Sequence, residues 1–472
     1  MASWHPSGPT LQQVNKLMSR EPETDLPGSA ALPGTLSTAL RDELIAFRRD
    51  LHMHPELGNQ EFRTTAALKE RLERAGLRPR VLPTGTGLVC DIGVREDIGA
   101  RNETPPHGAA PDAAPGGGPV PAAAREPIAG LSGDLSGDLN AGLSGETPLL
   151  ALRADIDALP IPDTKAGVAY RSTVPERAHA CGHDVHTTAV LGAGLVLAEL
   201  HRQGLLPRPV RLIFQPAEEV LPGGATDVID AGALDGVGKI IAVHCDPKVD
   251  AGVIGLRPGP ITSACDRLEI ALDGPGGHTA RPHLTTDLVT AAAKVAAEVP
   301  ALLSRRVDAR AGLAVTWGRI AAGHACNVIP QHAELSGTVR CLDLPSWRAA
   351  PDLVHTAVDE IARLYGAKPE VTYVRGVPPV VNDPVVAELL REAQTARRGV
   401  YAVEDTEQSL GGEDFSWYLE HVPGAMARLG VRTPGDTAQR DLHRGDFDVD
   451  EYAIEVGVEL FTAAALLDVP RN

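Results

Sequence analysis

The segment HACGHDVH, at residues 179–186, brings together side chains that can bind metal ions. His179, Cys181 and His183 stand two residues apart, so an extended backbone would turn all three to one side. Gly182 disfavours a helix at this point. A thiolate and imidazoles are good ligands for Zn²⁺ and related divalent ions, and a bound metal keeps the thiol deprotonated. An isolated Cys-x-His pair more often means a buried cysteine beside a satisfied histidine, so the metal interpretation depends on further ligands nearby.

Glu218 and Glu219 are adjacent carboxylates that directly follow the apolar run VRLIF and Pro216. Two carboxylates held together do not both ionise cheaply unless a cation lies beside them. A metal ion bound to one of them would leave the other free as a general base for a bound water. The alternative is two solvated glutamates at the start of a helix.

Short apolar runs alternate with helical segments around these residues, which predicts a mainly parallel sheet covered on both faces. Three predicted strands, LLALRAD, VRLIFQP and KIIAVHCDP, each end in ionisable side chains: Asp155 and Asp157, Glu218 and Glu219, and His244. Pro216 and Pro247 are expected to end the second and third of these strands. Ligands bind outside the carboxyl ends of parallel strands, so the sequence predicts a site at this edge.

From about Asp266 the apolar and polar residues alternate, as in a half-exposed antiparallel strand. The predicted elements then follow the order β-α-β-β-α-β of a ferredoxin-like sheet. The predicted fold class is α/β, with a mainly parallel catalytic domain and an inserted α+β satellite domain. The predicted boundaries are a flexible tail over 1–36, catalytic parts over 37–263 and 377–472, and the satellite domain over 264–376.

Residues 95–147 contain no aromatic side chain apart from His107 and are rich in Gly, Pro and Ala. Leu131, Leu135, Leu139 and Leu143 recur every fourth residue, but the glycines between them each cost roughly 1 kcal/mol in a helix. We therefore predict a loose surface insertion within the catalytic domain. A helix that binds a partner is the alternative.

The formal net charge of −18 argues against binding of nucleic-acid phosphates as the main activity. No apolar run is long enough for a transmembrane helix, and the N-terminus does not resemble a secretory signal. The six cysteines are sparse and irregularly spaced, which favours free thiols or metal ligands in a reducing compartment. We therefore expect a cytoplasmic protein that does not bind membranes or nucleic acid.

Taken together, the motifs resemble the M20 metallopeptidase and amidohydrolase family, in its aminoacylase, hippurate-hydrolase and auxin-conjugate-hydrolase branch. The matching stretches occur in the family's order across most of residues 41–461. They are RRDLHMHPEL, LRADIDALPI, HACGHDVHTTAVLGAG, IFQPAEE, AVHCDP, GPGGHTARPH, NVIP, GGEDF and LHRGDFDVDE.

The resemblance implies a catalytic domain with two metal ions and a smaller satellite domain that mediates homodimerisation. Cys181 falls at the bridging ligand, where other branches carry Asp. By the same resemblance, His183 and His244 complete one metal site, and Glu219 and His443 complete the other. Zn²⁺ or Mn²⁺ is favoured, and Co²⁺ and Ni²⁺ also suit these ligands.

The resemblance also assigns roles to residues that do not bind the metals. Glu218 would be the general base, and Asp157 and Asp155 match acidic positions that orient the metal ligands. In the satellite domain, His278 would stabilise the oxyanion. The remaining matches, which would bind substrate or shape the pocket, are Asn327 of NVIP, Arg340 of GTVR and Gly412 of GGEDF.

The function implied is hydrolysis of the amide bond of small N-acyl amino acids by two metal ions and Glu218. Arg340 suits a substrate carboxylate because its guanidinium can bind both oxygens, although an exposed strand charge is the alternative. A dipeptidase or small-peptide hydrolase is the second interpretation. A non-catalytic protein that holds metal or binds a partner is the third, motivated by the insertion over residues 95–147.

Overall fold

The computed structural model describes residues 36–94, 149–438 and 440–469. The predicted insertion over 95–147 lies outside the described residues, as does the predicted tail over 1–36 apart from Leu36.

The larger sheet has eight strands, and its four inner strands run parallel. In spatial order the strands are β1 (Arg80–Val81), β2 (Leu88–Ile92), β4 (Val210–Gln215), β3 (Leu149–Asp155), β5 (Val237–Asp250), β16 (Gly424–Arg432), β6 (Ile254–Leu256) and β15 (Val403–Asp405). Every residue of β3 is buried, as expected of a strand covered on both faces. The predicted α/β class with a mainly parallel central sheet is therefore confirmed.

Helices cover both faces of this sheet. They are α1 (Thr38–Met53), α2 (Phe62–Arg74), α3 (His183–Arg202), α4 (Ala225–Asp230), α7 (Pro384–Arg398), α8 (Ser416–Leu419) and α9 (Tyr452–Leu467). One core packs α3 and α9 against the strands, through side chains such as Leu191 and Val458. A second core on the other face includes Val228 of α4 and Tyr418 of α8. None of the helices in the described ranges combines the length and apolar character needed to cross a membrane.

The smaller sheet has four antiparallel strands in the order β10 (Ala314–Ala322), β12 (His332–Cys341), β8 (Ala264–Asp273) and β13 (Lys368–Val377). Its helices are α5 (Leu288–Arg306) and α6 (Leu344–Leu364). Buried and accessible positions alternate along β8, because one face of the sheet packs on the helices. The elements follow the chain order β-α-β-β-α-β around a core of their own. A role of this region in dimerisation stays a prediction.

Two short antiparallel ribbons of two strands each lie outside the two main sheets. β7 (Gly259–Pro260) pairs with β14 (Val381–Asn382), and β9 (Gly277–His278) pairs with β11 (Val328–Ile329).

One predicted strand end is wrong. Pro216 follows the last residue of β4 as expected, but β5 continues past Pro247 to Asp250. The register between β5 and β16 shifts between Gly430 and Arg432, opposite this stretch. A proline is tolerated at such an irregularity because no regular ladder hydrogen bond is needed from it. His244 therefore lies within β5 and not at its end.

Candidate functional site

The turn at Gly182 brings Cys181 and His183 together. Gly182 has φ 89°, and α3 begins directly after it at His183. A Cβ at Gly182 would lie 2.6 Å from the Sγ of Cys245, so the close approach and the positive φ both require glycine. The predicted extended arrangement is wrong here, because a turn and not strand alternation positions His183. His179 is buried away from these ligand groups, beside the ring of His52.

Two groups of potential metal ligands share Cys181. Cys181, His183 and His244 form the first group, and Cys181, Glu219 and His443 form the second. Within each group the ligand atoms lie within 4.8 Å of one another. The Sγ of Cys181 is 3.5 Å from Nε2 of His244, and Nε2 of His443 is 3.2 Å from Oε1 of Glu219. Residues arranged in this way could hold two metal ions, with the sulfur of Cys181 common to both groups.

Backbone contacts hold the distant His443 over the site. Its N–H donates to the oxygen of Ala180 at 2.8 Å, and its φ of 61° turns the chain sharply. Two residues later, the oxygen of Gly445 accepts from the N–H of Thr164 at 2.8 Å. The segment after β16 is thus tied to the loop that precedes Cys181.

The ring nitrogens of the two buried histidines are arranged to bind metal. The Nδ1 of His183 donates to the backbone oxygen of Asp157 at 2.9 Å, and the Nδ1 of His244 donates to that of Cys245 at 2.8 Å. Carbonyl oxygens only accept, so these contacts place the proton on Nδ1 and the lone pair on Nε2.

One buried polar atom of the ligand groups, Nε2 of His183, lacks a hydrogen-bond partner in the part of the chain that the structure describes. The buried Oε1 of Glu219 has Nε2 of His443 3.2 Å away, without a well-formed hydrogen bond between them. Leaving a buried polar atom unpaired is costly. A divalent ion beside each of these atoms would satisfy it, so the residues present fit two metal ions.

Asp157 connects both ligand groups. Its Oδ1 lies 3.3 Å from Nδ1 of His183, and its Oδ2 accepts from the backbone N–H of Glu219 at 3.0 Å. Asp157 therefore orients one ligand of each group, which agrees with the orienting role that the resemblance implies.

Glu218 lies beside these groups, with Oε2 3.9 Å from Nε2 of His183. Burial raises the pKa of Glu218 well above its usual value, and the charges of Glu413 and Glu219 raise it further. This shift describes the protein without metal ions, and cations bound beside Glu218 would oppose it. The position of Glu218 next to both ligand groups is what a general base requires.

Burial shifts the pKa values of the ligands Cys181 and His244 in opposite directions. Burial raises the pKa of the Cys181 thiol, and a coordinated metal would reverse that effect. Burial, together with the charge of Arg428, holds the pKa of His244 well below its usual value, so its ring is neutral and free to bind metal.

Sequence reasoning missed the buried network behind the ligands. His186 accepts from the N–H of Cys245 at 2.8 Å, and its Nδ1 lies 2.7 Å from Asp155. Arg153 donates to Asp155 at 2.7 Å and to Asp414 at 2.8 Å. Burial opposes ionisation of Asp155, but His183, His186 and Arg153 outweigh it and hold its pKa well below the usual value. The available signal was an arginine inside the otherwise apolar run LLALRAD.

A cavity of about 280 Å³ opens onto the ligand groups. Its lining includes Cys181, His244, His443, both glutamates of the pair, and Gly412, while Leu221, Val377 and Leu442 form apolar parts of the wall. Arg340 is not part of the lining, but it donates to the backbone oxygen of Leu410, which directly precedes the lining residues Gly411 and Gly412. We call this position the rim of the cavity.

The structure does not bring His278 and Asn327 to this cavity. His278 lies on β9 opposite Val328 of β11, and Asn327 directly precedes that strand. Both side chains are exposed, and neither lines the cavity.

Comparison with known proteins identifies the family. The model of peptidase family M20/M25/M40 matches residues 151–467, a span that contains both ligand groups. The chain is 36% identical over 422 residues to N-acetyl-L-cysteine deacetylase of Bacillus subtilis, with 89% of this chain and 87% of that protein covered.

A second relative is longer than this chain. The chain is 42% identical over 441 residues to a Rhodococcus jostii protein named putative glutamate–cysteine ligase 2-3. The match covers 93% of this chain but 48% of that protein, so the chain spans about half its length.

A solved structure has the same fold. It is the Bacillus subtilis YXEP protein, described as a dinuclear metal binding peptidase from the M20 family. It is 31% identical, with a TM-score of 0.70 and coverage of 92% of this chain and 99% of that one. The chain therefore belongs to peptidase family M20/M25/M40, and it is a hydrolytic enzyme with a centre for two metal ions.

Proposed function

We propose that this protein hydrolyses the amide bond of N-acyl amino acids and releases a carboxylic acid and an amino acid. The observation that carries the proposal is the pair of ligand groups that share Cys181, with Glu218 beside them in the same cavity. A relative named N-acetyl-L-cysteine deacetylase, similar over 87% of its length, supports amide hydrolysis.

The five ligands Cys181, His183, His244, Glu219 and His443 would hold two divalent ions. Bound there, such ions supply a water of lowered pKa and polarise the substrate carbonyl. The mixture of thiolate, imidazole and carboxylate donors favours Zn²⁺ or Mn²⁺, with Co²⁺ and Ni²⁺ as alternatives.

Glu218 acts as the general base. Its carboxylate takes a proton from the attacking water and later returns it to the nitrogen of the leaving amine. Asp157 keeps His183 and the backbone of Glu219 in place meanwhile.

His278 donates a hydrogen bond to the oxyanion, and Asn327 and Arg340 bind the polar groups of the substrate. On the exposed ribbon of β9 and β11, neither His278 nor the adjacent Asn327 lines the cavity of its own chain. We propose that the ribbon reaches the cavity of a second copy in a homodimer. Each complete site would then contain residues of two chains.

We further propose a cytoplasmic location. All six cysteines are free thiols, and five of them are buried or half-buried. A reducing compartment keeps such thiols unpaired.

An activity screen with metal quantified in the same sample tests the proposal. The panel contains N-acetyl, N-benzoyl and long-chain acyl amino acids beside plain dipeptides. We expect hydrolysis of at least one acyl class to exceed that of every dipeptide, with about two metal ions per chain. Faster hydrolysis of the dipeptides would overturn it in favour of a dipeptidase, the second candidate, which relatives named thermostable carboxypeptidases support.

A further inference from the structure

A buried arginine in the cavity wall has no ion-pair partner among the residues that the structure describes. Arg428 lies on β16 directly beside His244 of β5, and it lines the cavity. It is only 6% exposed. One of its terminal guanidinium nitrogens, Nη2, is buried without a hydrogen-bond partner among the described residues.

The contrast with Arg153 shows how unusual this is. Arg153 is also buried, but Asp155, Asp414 and Glu413 all form ion pairs with it. Arg428 forms no ion pair within the described ranges, although Glu413 and Asp246 lie near enough to act on its charge. A buried charge of this kind is costly unless a partner of opposite charge is supplied.

The rest of the cavity is acidic, so an anion could enter only next to a cation. Glu218, Glu219, Glu413 and Asp414 all line it. Arg340 lies at the rim, with its guanidinium donating to the backbone oxygen of Leu410. Apart from the metal ions, Arg428 is therefore the cation best placed to attract an anionic group towards the ligands.

We propose that Arg428 binds the free carboxylate of the substrate's amino-acid part inside the cavity. A guanidinium can bind both oxygens of a carboxylate, and the Nη2 of Arg428 lacks only such an acceptor. The enzyme then selects N-acyl amino acids over their uncharged amides. This inference rests on the proposed function, and it assigns the carboxylate to the cavity wall and not to Arg340.

A binding measurement tests this without relying on turnover. The full chain with Glu218→Gln, loaded with Zn²⁺, is titrated calorimetrically with N-acetyl-L-alanine and with N-acetyl-L-alanine amide. We expect the acid to bind more tightly than the amide. Arg428→Gln in the same background should reduce the ratio of the two affinities by roughly 10- to 100-fold, and Arg428→Lys by less.

The matched control is Arg310→Gln, which removes the same charge from an exposed side chain outside the cavity. Arg340→Gln tests the competing assignment of the carboxylate. An unchanged affinity ratio in folded Arg428→Gln protein would overturn the proposal, as would a ratio that collapses only in Arg340→Gln. Metal content and melting temperature establish that each variant is folded. If Arg428→Gln does not fold, Arg428→Lys becomes the test. The proposal fails if Arg428→Lys has the same ratio of acid affinity to amide affinity as the protein with Arg428.

The result also separates this inference from the proposed function. If the unmodified protein hydrolyses no N-acyl amino acid but still prefers the acid through Arg428, the carboxylate site stands and the reaction is a different one. If it hydrolyses N-acyl amino acids and their amides equally, with no dependence on Arg428, the reaction stands and this inference fails.

Discussion

The edge of the central sheet and the ribbon of the smaller sheet contribute to the proposed site in very different ways. At the sheet edge, the buried ligands His183 and His244 each have one ring nitrogen fixed by a hydrogen bond. On the ribbon, His278 and Asn327 are exposed, and neither lines the cavity of its own chain.

The difference indicates which half of the site a single chain can preorganise. Fixed ligand positions at the sheet edge would permit metal binding before substrate arrives. Groups on the ribbon would complete the site only after two chains meet, so metal binding and turnover should respond differently to variants in the two regions.

The largest effect is expected for Glu218→Gln at the sheet edge. The amide cannot accept the proton of the attacking water, so kcat should fall by roughly 10²- to 10⁴-fold while both metal ions remain. Steady-state kinetics and elemental analysis of one preparation check this. Glu370→Gln, an exposed change on β13, is the matched control and should behave as the unmodified protein. Near-normal turnover of Glu218→Gln would remove Glu218 from the role of base.

Cys181→Ala removes the ligand that the two groups share. Loss of even a supporting residue typically costs roughly 10- to 100-fold in metal affinity, and loss of a bridging ligand should cost more. We expect fewer than two ions per chain and activity reduced in proportion, as measured by elemental analysis. Cys326→Ala, at an exposed thiol, is the control. Full metal content in Cys181→Ala would contradict a bridging role.

Gly412→Ala should have a smaller effect that is confined to substrate binding. A Cβ there would lie 2.9 Å from Cγ2 of Val377 and 3.2 Å from Cβ of Cys265, so the cavity wall must shift. We expect KM to rise about fivefold, equivalent to about 1 kcal/mol of overpacking, with metal content unchanged. Gly318→Ala, where the nearest atom is 3.9 Å away, is the control and should leave KM alone.

Glu61 supports the sheet edge and gives it a pH dependence. Its Oε1 accepts from the N–H of Ala217 at 2.8 Å, and Ala217 directly precedes Glu218 with φ 56°. Burial raises the pKa of Glu61 to about 7 from an ordinary value near 4.5. Since the folded state favours the protonated form, this contribution to stability is complete below about pH 4.5 and is lost as the pH rises through about 7.

We therefore expect the unfolding free energy of the metal-free protein to fall between pH 5 and pH 8, by about 2 kcal/mol through this group. Glu61→Gln removes the titration, so its stability relative to the unmodified protein should rise over the same range. Denaturant unfolding at the two pH values measures both. A constant difference between the two proteins would show that Glu61 does not titrate as described.

Much of the sheet edge could be predicted from the sequence because its residues lie in short, ordered motifs. The strand ends near Asp155 and Glu218 follow from apolar runs. His443 was assigned by resemblance alone. No spacing rule indicates that a segment some two hundred residues after His244 folds back over it.

The parts that the sequence could not predict depend on three-dimensional packing. Arg428 lies between apolar residues of β16. Only the pairing of Arg428 with His244 of β5 shows that it lies beside the metal ligands. The support of Ala217 by Glu61 likewise joins residues far apart in the chain. The exposure of His278 is a property of the ribbon's direction, which local sequence does not encode.

Mixing two inactive variants tests the central claim that one site uses two chains. Glu218→Gln and His278→Ala are each expected to be nearly inactive when pure. After unfolding and refolding together at equal concentrations, half of the dimers are mixed and each mixed dimer has one intact site. We predict recovery of about a quarter of the activity of the unmodified protein. A mixture that stays as inactive as its components would contradict the account.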